Sequence, residues 1–129
     1  MEAIEDLISE MSKRIERIET RKRSRYPKAQ LSFEHAVRAI IIDFWKATHC
    51  IPIRECLINK RSGYYPETLR YRDPLLTYKQ TMAAFDGLLV LGQIEVTHDG
   101  YFDRSTLQGA LTKFIAKDEL LETLRDIDE

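Results

Sequence analysis

Basic side chains are the residues of this sequence whose types and spacing point most clearly to chemistry. Five of them fall between Arg21 and Lys28 with no acidic residue among them, and six more lie between Arg54 and Lys79. The whole chain nevertheless has a formal charge of only −1, because both of its ends are acidic. Concentrated positive charge in a near-neutral chain indicates a surface for a polyanion. The same pattern is also compatible with a solvated basic surface that binds nothing.

Arginine and tyrosine are interleaved in the second of these basic regions. Tyr64 and Tyr65 follow a basic turn, and Tyr71 lies between Arg70 and Arg72. Arginine contacts phosphate or guanine, while tyrosine stacks on bases or donates hydrogen bonds. Both residue types are also enriched in protein interfaces, so the pattern alone leaves nucleic acid and protein as alternative partners.

Residue patterns typical of enzymes and metal sites are missing from the sequence. The two cysteines, Cys50 and Cys56, are six residues apart and belong to no CxxC pair, which predicts reduced cysteines without zinc. Asp99 and Asp103 form no metal motif by their spacing. The chain has no glycine-rich phosphate loop, Gly-x-Ser-x-Gly or HExxH sequence. We therefore expect no enzyme activity, metal, cofactor or small-molecule substrate.

The segment from Thr77 to Arg104 has the clearest structural pattern. Its first half carries one apolar helical stripe, formed by Tyr78, Met82, Phe85 and Leu89. Thr77 is suited to cap this helix and Gly92 to end it. An alternating strand, residues 94–97, follows, then the turn signal Asp99-Gly100 and a return strand that starts at Tyr101. The pattern predicts a helix that leads directly into a short β-hairpin.

This stripe leaves Gln80, Ala83, Ala84 and Gly87 on the opposite face of the helix, with Lys79 at its edge. Small residues allow a helix to approach a groove, where Gln80 reads adenine and Lys79 contacts phosphate or guanine. Alternatively, Ala84 and Gly87 pack closely against another helix. The predicted nucleic-acid contacts are Arg21, Lys22, Arg23, Arg25, Lys60, Arg61, Arg70, Arg72, Lys79, Gln80 and Arg104.

The N-terminal residues 1–20 are predicted to form a helix with a narrow apolar seam. The seam consists of Ile4, Ile8, Met11, Ile15 and Ile18, at alternating steps of four and three. Such a heptad seam suits a partner helix, although the helix can also lie on its own domain. Dimerisation through these five residues is the favoured expectation.

Residues 21–30 are predicted to be a basic linker, because Pro27 interrupts a helix, and residues 31–129 a single domain. Within this domain Ser32 is expected to cap a long helix that Pro52 closes. Residues 53–58 allow a short strand or a short helix. Ser105 is expected to start a helix through Leu107, Leu111, Phe114 and Ile115, and a further helical segment follows from Asp118.

The segment from Tyr78 to Asp103 resembles the recognition helix and wing of winged helix-turn-helix domains. Taken with residues 59–65 and 70–74, it is similar to the N-terminal domains of replication initiation proteins of plasmids, phages and related mobile elements. The resemblance implies a mainly α fold with a small β-hairpin wing, preceded by an N-terminal helix. It also implies a homodimer that binds double-stranded DNA.

Two other functions remain open: a dimerisation or recruitment domain that binds no DNA, and a transcriptional repressor. No apolar run is long enough for a membrane span, and the acidic N-terminus is unlike a secretory signal. A cytoplasmic location is expected, with no membrane partner.

Overall fold

The computed structural model describes residues 2–18, 27–58, 77–103, 105–106 and 108–127. The helices of this part are α1 (Glu2–Ile18), α2 (Pro27–Thr48), α3 (Tyr78–Val90) and α4 (Asp118–Asp126). Its strands are β1 (Cys56–Ile58), β2 (Ile94–His98), β3 (Tyr101–Asp103), β4 (Gln108–Ala110) and β5 (Thr112–Ala116). None of these helices combines the length and the apolar character needed to cross a membrane. The chain is thus mainly helical with a small antiparallel sheet, as the sequence predicted.

The sheet has the strand order β1–β5–β2, and both edge strands run antiparallel to β5. A bulge between Val96 and His98 shifts the register, after which His98 lies opposite Lys113. The pairing of β3 with β4 keeps this new register, with Tyr101 opposite Ala110. The segment 94–103 and the segment 108–116 are therefore the two arms of one long hairpin, whose tip lies between Asp103 and Gln108.

Two sequence predictions for this region are wrong. The strand that starts at Tyr101 pairs with β4 rather than returning along β2, and the expected helix over Leu107, Leu111, Phe114 and Ile115 is replaced by β4 and β5. In β5, Thr112, Phe114 and Ala116 are buried while Lys113 is exposed. Because buried and exposed side chains alternate along β5, one face of the strand packs on the core. This alternation outweighs the helical spacing of the leucines in the sequence.

Phe114 lies at the centre of the core. Its ring meets Phe44 of α2 edge-on, with centroids 5.1 Å apart, and meets Phe85 of α3 edge-on at 5.0 Å. All three side chains are fully buried. Because edge-to-face aromatic pairs add to the free energy of burial, this cluster fixes the sheet on α2 and α3.

Helix α3 begins and ends as the sequence predicted. The Thr77 hydroxyl accepts a hydrogen bond from the Gln80 amide at 3.3 Å, and Gly92 has φ +70°, a left-handed conformation that glycine adopts without strain. The buried face differs from the expected stripe: it consists of Thr81, Ala84, Phe85, Gly87 and Leu88. Tyr78 is exposed instead. The alternative in which Ala84 and Gly87 pack against a helix is therefore the correct one.

Helix α1 uses its apolar seam within its own chain. Ile4, Ile8, Met11 and Ile15 are buried in the same core as the residues of α2 and α3, while the side chain of Ile18 lies outside the described part. This corrects the expected dimerisation role of the seam, since a face covered by its own domain is closed to a second chain. It also places α1 in the domain rather than apart from it.

Ion pairs flank this apolar contact of α1. Arg38 of α2 binds both carboxylate oxygens of Glu5, one of them at 2.6 Å. Arg14 reaches Glu119 of α4 at 3.0 Å and also binds Glu10 within α1. These bridges are exposed, so each contributes little to the free energy of unfolding, but together they set the orientation of α1.

The expected linker, residues 21–30, overlaps the start of α2. Residues 27–30 belong to α2, and Pro27 is its first residue, a position where proline needs no amide hydrogen. Residues 19–26 lie outside the described part. Ser32 does not cap α2 but is buried within it, 3.3 Å from the Thr77 hydroxyl.

At the other end of α2, the Trp45 indole donates to the Ile127 carbonyl at 2.9 Å and thereby holds the end of α4, a helix that the sequence predicted.

The ion pair of Glu5 gives the stability a pH dependence. The hydrogen bond from Arg38 lowers the pKa of Glu5 below its ordinary value of 4.5. A carboxylate whose pKa falls on folding stabilises the protein above its unfolded pKa, and this contribution disappears as the pH drops through the folded pKa. We expect wild-type protein to have a higher melting temperature than a Glu5→Gln variant at pH 7, and the difference should shrink as the pH falls below 4.5. A difference that does not shrink would contradict this role.

Candidate nucleic-acid interface

Most of the predicted nucleic-acid contacts lie outside the described residues. These are Arg21, Lys22, Arg23, Arg25, Lys60, Arg61, Arg70, Arg72 and Arg104. The structure places Lys79 and Gln80 in the first turn of α3, directly after the cap formed by Thr77. Lys79 is exposed and Gln80 is half-buried. The two residues are thus close together, as expected, at the end of the helix that attracts anions.

The remainder of the exposed α3 face is poorly suited to a polyanion. Asp86 and Val90 are exposed on it, and Met82 and Ala83 are half-buried. Lys79 and Asp86 cancel in charge, and the carboxylate of Asp86 lies where a phosphate backbone would repel it. Lys79 and Gln80 are residue types that suit DNA contacts, but the charge on this face makes such contacts less favourable.

The long hairpin presents a second set of polar side chains. Lys113 of β5 and His98 of β2 lie opposite each other, so both project from the same face of the sheet, and both are exposed. Tyr101, at the start of β3, is 58% exposed. The Gly100 amide donates to the Thr112 hydroxyl at 3.0 Å, which ties the arms together between these residues. The hairpin thus carries an ammonium group, an imidazole and a phenol towards its tip.

Lys113 was missed by the sequence analysis because residues 105–115 were interpreted as a helix. Thr112, Phe114 and Ala116 alternate with Lys113 and Ile115, and only the first three are buried. A repeat of two residues is the signal that identifies a strand. On a strand opposite β2, Lys113 is brought next to His98. No ion pair joins Lys113 to any residue in the part of the chain that the structure describes.

Several other basic side chains of the described residues form ion pairs with acidic side chains. The guanidinium of Arg54 donates to Asp43 at 3.1 Å, and this hydrogen bond raises the pKa of Arg54. Arg38 is likewise paired with Glu5, and the ammonium group of Lys117 is 4.0 Å from Glu95. These side chains stabilise local structure, whereas Lys113 has no ion pair with any described residue.

The part of the chain that the structure describes gives no grouping of side chains suited to metal binding. Within the described residues, no three His, Cys, Asp or Glu side chains come together as metal ligands would. Neither Cys50, which is exposed, nor Cys56, which is buried, forms a disulfide. No protein-family model, curated protein or solved structure matches this chain.

Proposed function

We propose that this chain is a DNA-binding module of the winged-helix type that serves in a replication initiator of a plasmid or another mobile element. The observation that carries the proposal is the order of elements around the sheet. Helix α3 leads into β2, the hairpin returns through the central strand β5, and β1 lies on the other side of β5. This is the order in which winged helices arrange their recognition helix, wing and first strand.

The described residues that contact DNA in this proposal are on the hairpin. Lys113 contacts phosphate as a point charge, His98 adds a hydrogen-bond donor opposite it, and Tyr101 adds one nearer the tip of the hairpin. Arg104, Arg21 to Arg25 and the Arg/Tyr segment 60–72, all outside the described residues, supply further positive charge. Lys79 and Gln80 are left out of these contacts, because the carboxylate of Asp86 is exposed on the face of α3 that carries Lys79.

A lysine replacement tests the hairpin contact. We expect Lys113→Ala to weaken binding to a fluorescent 20-base-pair duplex and to reduce the slope of log affinity against log salt by about 1, the value for one lost phosphate contact. Lys46→Ala is the matched control, since Lys46 is an exposed lysine in the last turn of α2. It should bind as wild type does. Equal slopes for all three proteins would remove the hairpin from the interface.

A recruitment module that binds no DNA is the second candidate. It is favoured by the apolar surface of α3, where Tyr78 is 52% exposed and Val90 is 74% exposed. A chain of this kind would self-associate but leave duplex DNA unbound even at low salt.

A transcriptional repressor would use the same DNA contacts as an initiator, and footprinting on promoter and origin fragments separates these two roles.

A further inference from the structure

The exposed face of α3 is the part of the described surface that neither the core nor the hairpin explains. It comprises Lys79, Met82, Ala83, Asp86 and Val90, which recur at steps of three and four and so lie on one side of the helix. The opposite side, with Phe85 and Leu88, is buried in the core. The face is therefore held rigidly, and no described residue forms an ion pair with Lys79 or Asp86.

Charge on this face is arranged so that the face complements itself. Lys79 and Asp86 are seven residues apart, which is two turns and about 10 Å along the helix axis. If two copies of α3 lie antiparallel, with a twofold axis between Met82 and Ala83, each lysine meets the aspartate of the other copy. A parallel arrangement places lysine on lysine and aspartate on aspartate. Only the antiparallel pairing is attractive, and it has the twofold symmetry of a closed dimer.

The residues between the two charges suit close packing. Ala83 allows the helix axes to approach each other, and Met82 adapts its shape to a neighbouring surface. Both remain half-buried in the single chain, so they have further apolar area to bury. Val90 and Tyr78 extend the apolar surface towards the two ends of α3.

We infer that this chain forms a homodimer through the exposed face of α3, with Lys79 of each copy paired to Asp86 of the other. The interface replaces the one expected on α1, whose seam is buried. It does not rest on DNA binding, because none of the hairpin side chains belongs to the exposed face of α3. A single pair of short helices buries a small area, so the dimer dissociates readily on dilution and more readily at high salt.

Charge reversal tests this interface, with sedimentation velocity over a range of protein concentrations as the measurement. We expect Lys79→Glu and Asp86→Lys each to weaken the dimer by at least about tenfold, because the symmetry introduces two like-charge contacts at once. The two single variants should form a heterodimer when mixed, since their faces are complementary. The double variant, with both replacements in one chain, should dimerise as wild type does.

Asp126→Lys is the control, because Asp126 is an exposed aspartate of α4 and lies outside the face. It should leave the dimer intact. Circular dichroism of each variant confirms that the fold is retained, as expected for exposed positions. Wild-type protein that stays monomeric at the highest concentration would overturn the inference. Single variants that dimerise as well as wild type would also overturn it. The same holds if wild type is a monomer and Lys79→Glu weakens its binding to DNA.

Discussion

Replacing Phe114 with alanine is expected to lower the free energy of unfolding by about 3–5 kcal/mol, the range for truncating a buried aromatic side chain. Phe114 is fully buried and its ring packs edge-on against both Phe44 and Phe85. Its loss leaves a cavity between the sheet, α2 and α3, which cannot collapse without moving all three. Because small domains have only about 5–15 kcal/mol of stability, this variant will be close to unfolding.

The neighbouring Ile115 provides the control. It is half-buried and projects from the other face of β5, so Ile115→Ala should cost about 1 kcal/mol. Urea denaturation followed by the fluorescence of Trp45 measures both values. Similar losses for the two variants would contradict the strand, because a helix with Leu111 would bury both side chains. Phe114→Leu gives a milder comparison if the alanine variant does not fold.

Gly87→Val is the second change with a large expected effect. A Cβ atom built on Gly87 would lie 2.5 Å from Cγ2 of Ile15 and 3.2 Å from its Cβ. Ile15 is branched at Cβ and fully buried, so it has no space to move aside. We expect a loss of about 3 kcal/mol, at the upper end of the range for overpacking, even though glycine itself is a poor helix residue.

A second-site replacement separates this steric effect from others. Ile15→Ala alone should cost about 2–5 kcal/mol through the cavity that it leaves. Combined with Gly87→Val, the total loss should be smaller than the sum of the two, because the valine fills part of that cavity. Strictly additive losses would show that α1 does not pack on Gly87. Gly92→Ala, where an added Cβ atom meets no other atom within 4 Å, measures the cost of a left-handed φ without a steric clash.

The sequence predicted the presence of α1 to α4 and both ends of α3 because these signals are local. Thr77 and Gly92 define the ends of α3 through a hydrogen bond and a left-handed φ, both of which depend on the residue itself. Ile94 to Thr97 alternates clearly and forms β2. For the seam of α1, the spacing identified the buried face correctly. It did not identify what covers that face, since an apolar seam binds its own domain and a partner helix by the same chemistry.

The hairpin was predicted incorrectly because its pairing is not local. The Asp99-Gly100 signal suggested a two-residue turn, but the bulge after Val96 and the pairing of β3 with β4 carry the arms further. Whether Phe114 belongs to a helix or a strand is decided by Phe44 and Phe85, which are distant in the sequence. The contribution of Lys113 to the candidate site depends on the same pairing, so it was not visible from residue types alone.

The most direct test of the proposed function is the binding of wild-type protein to duplex DNA as the salt concentration changes. If Lys113 and the basic segments contact phosphates, the affinity should fall steeply between about 50 and 200 mM salt, with a linear log–log slope whose size gives the number of contacts. We expect such a slope, reduced in Lys113→Ala and unchanged in Lys46→Ala. Absence of binding at the lowest salt, or an affinity that does not change with salt, would contradict it.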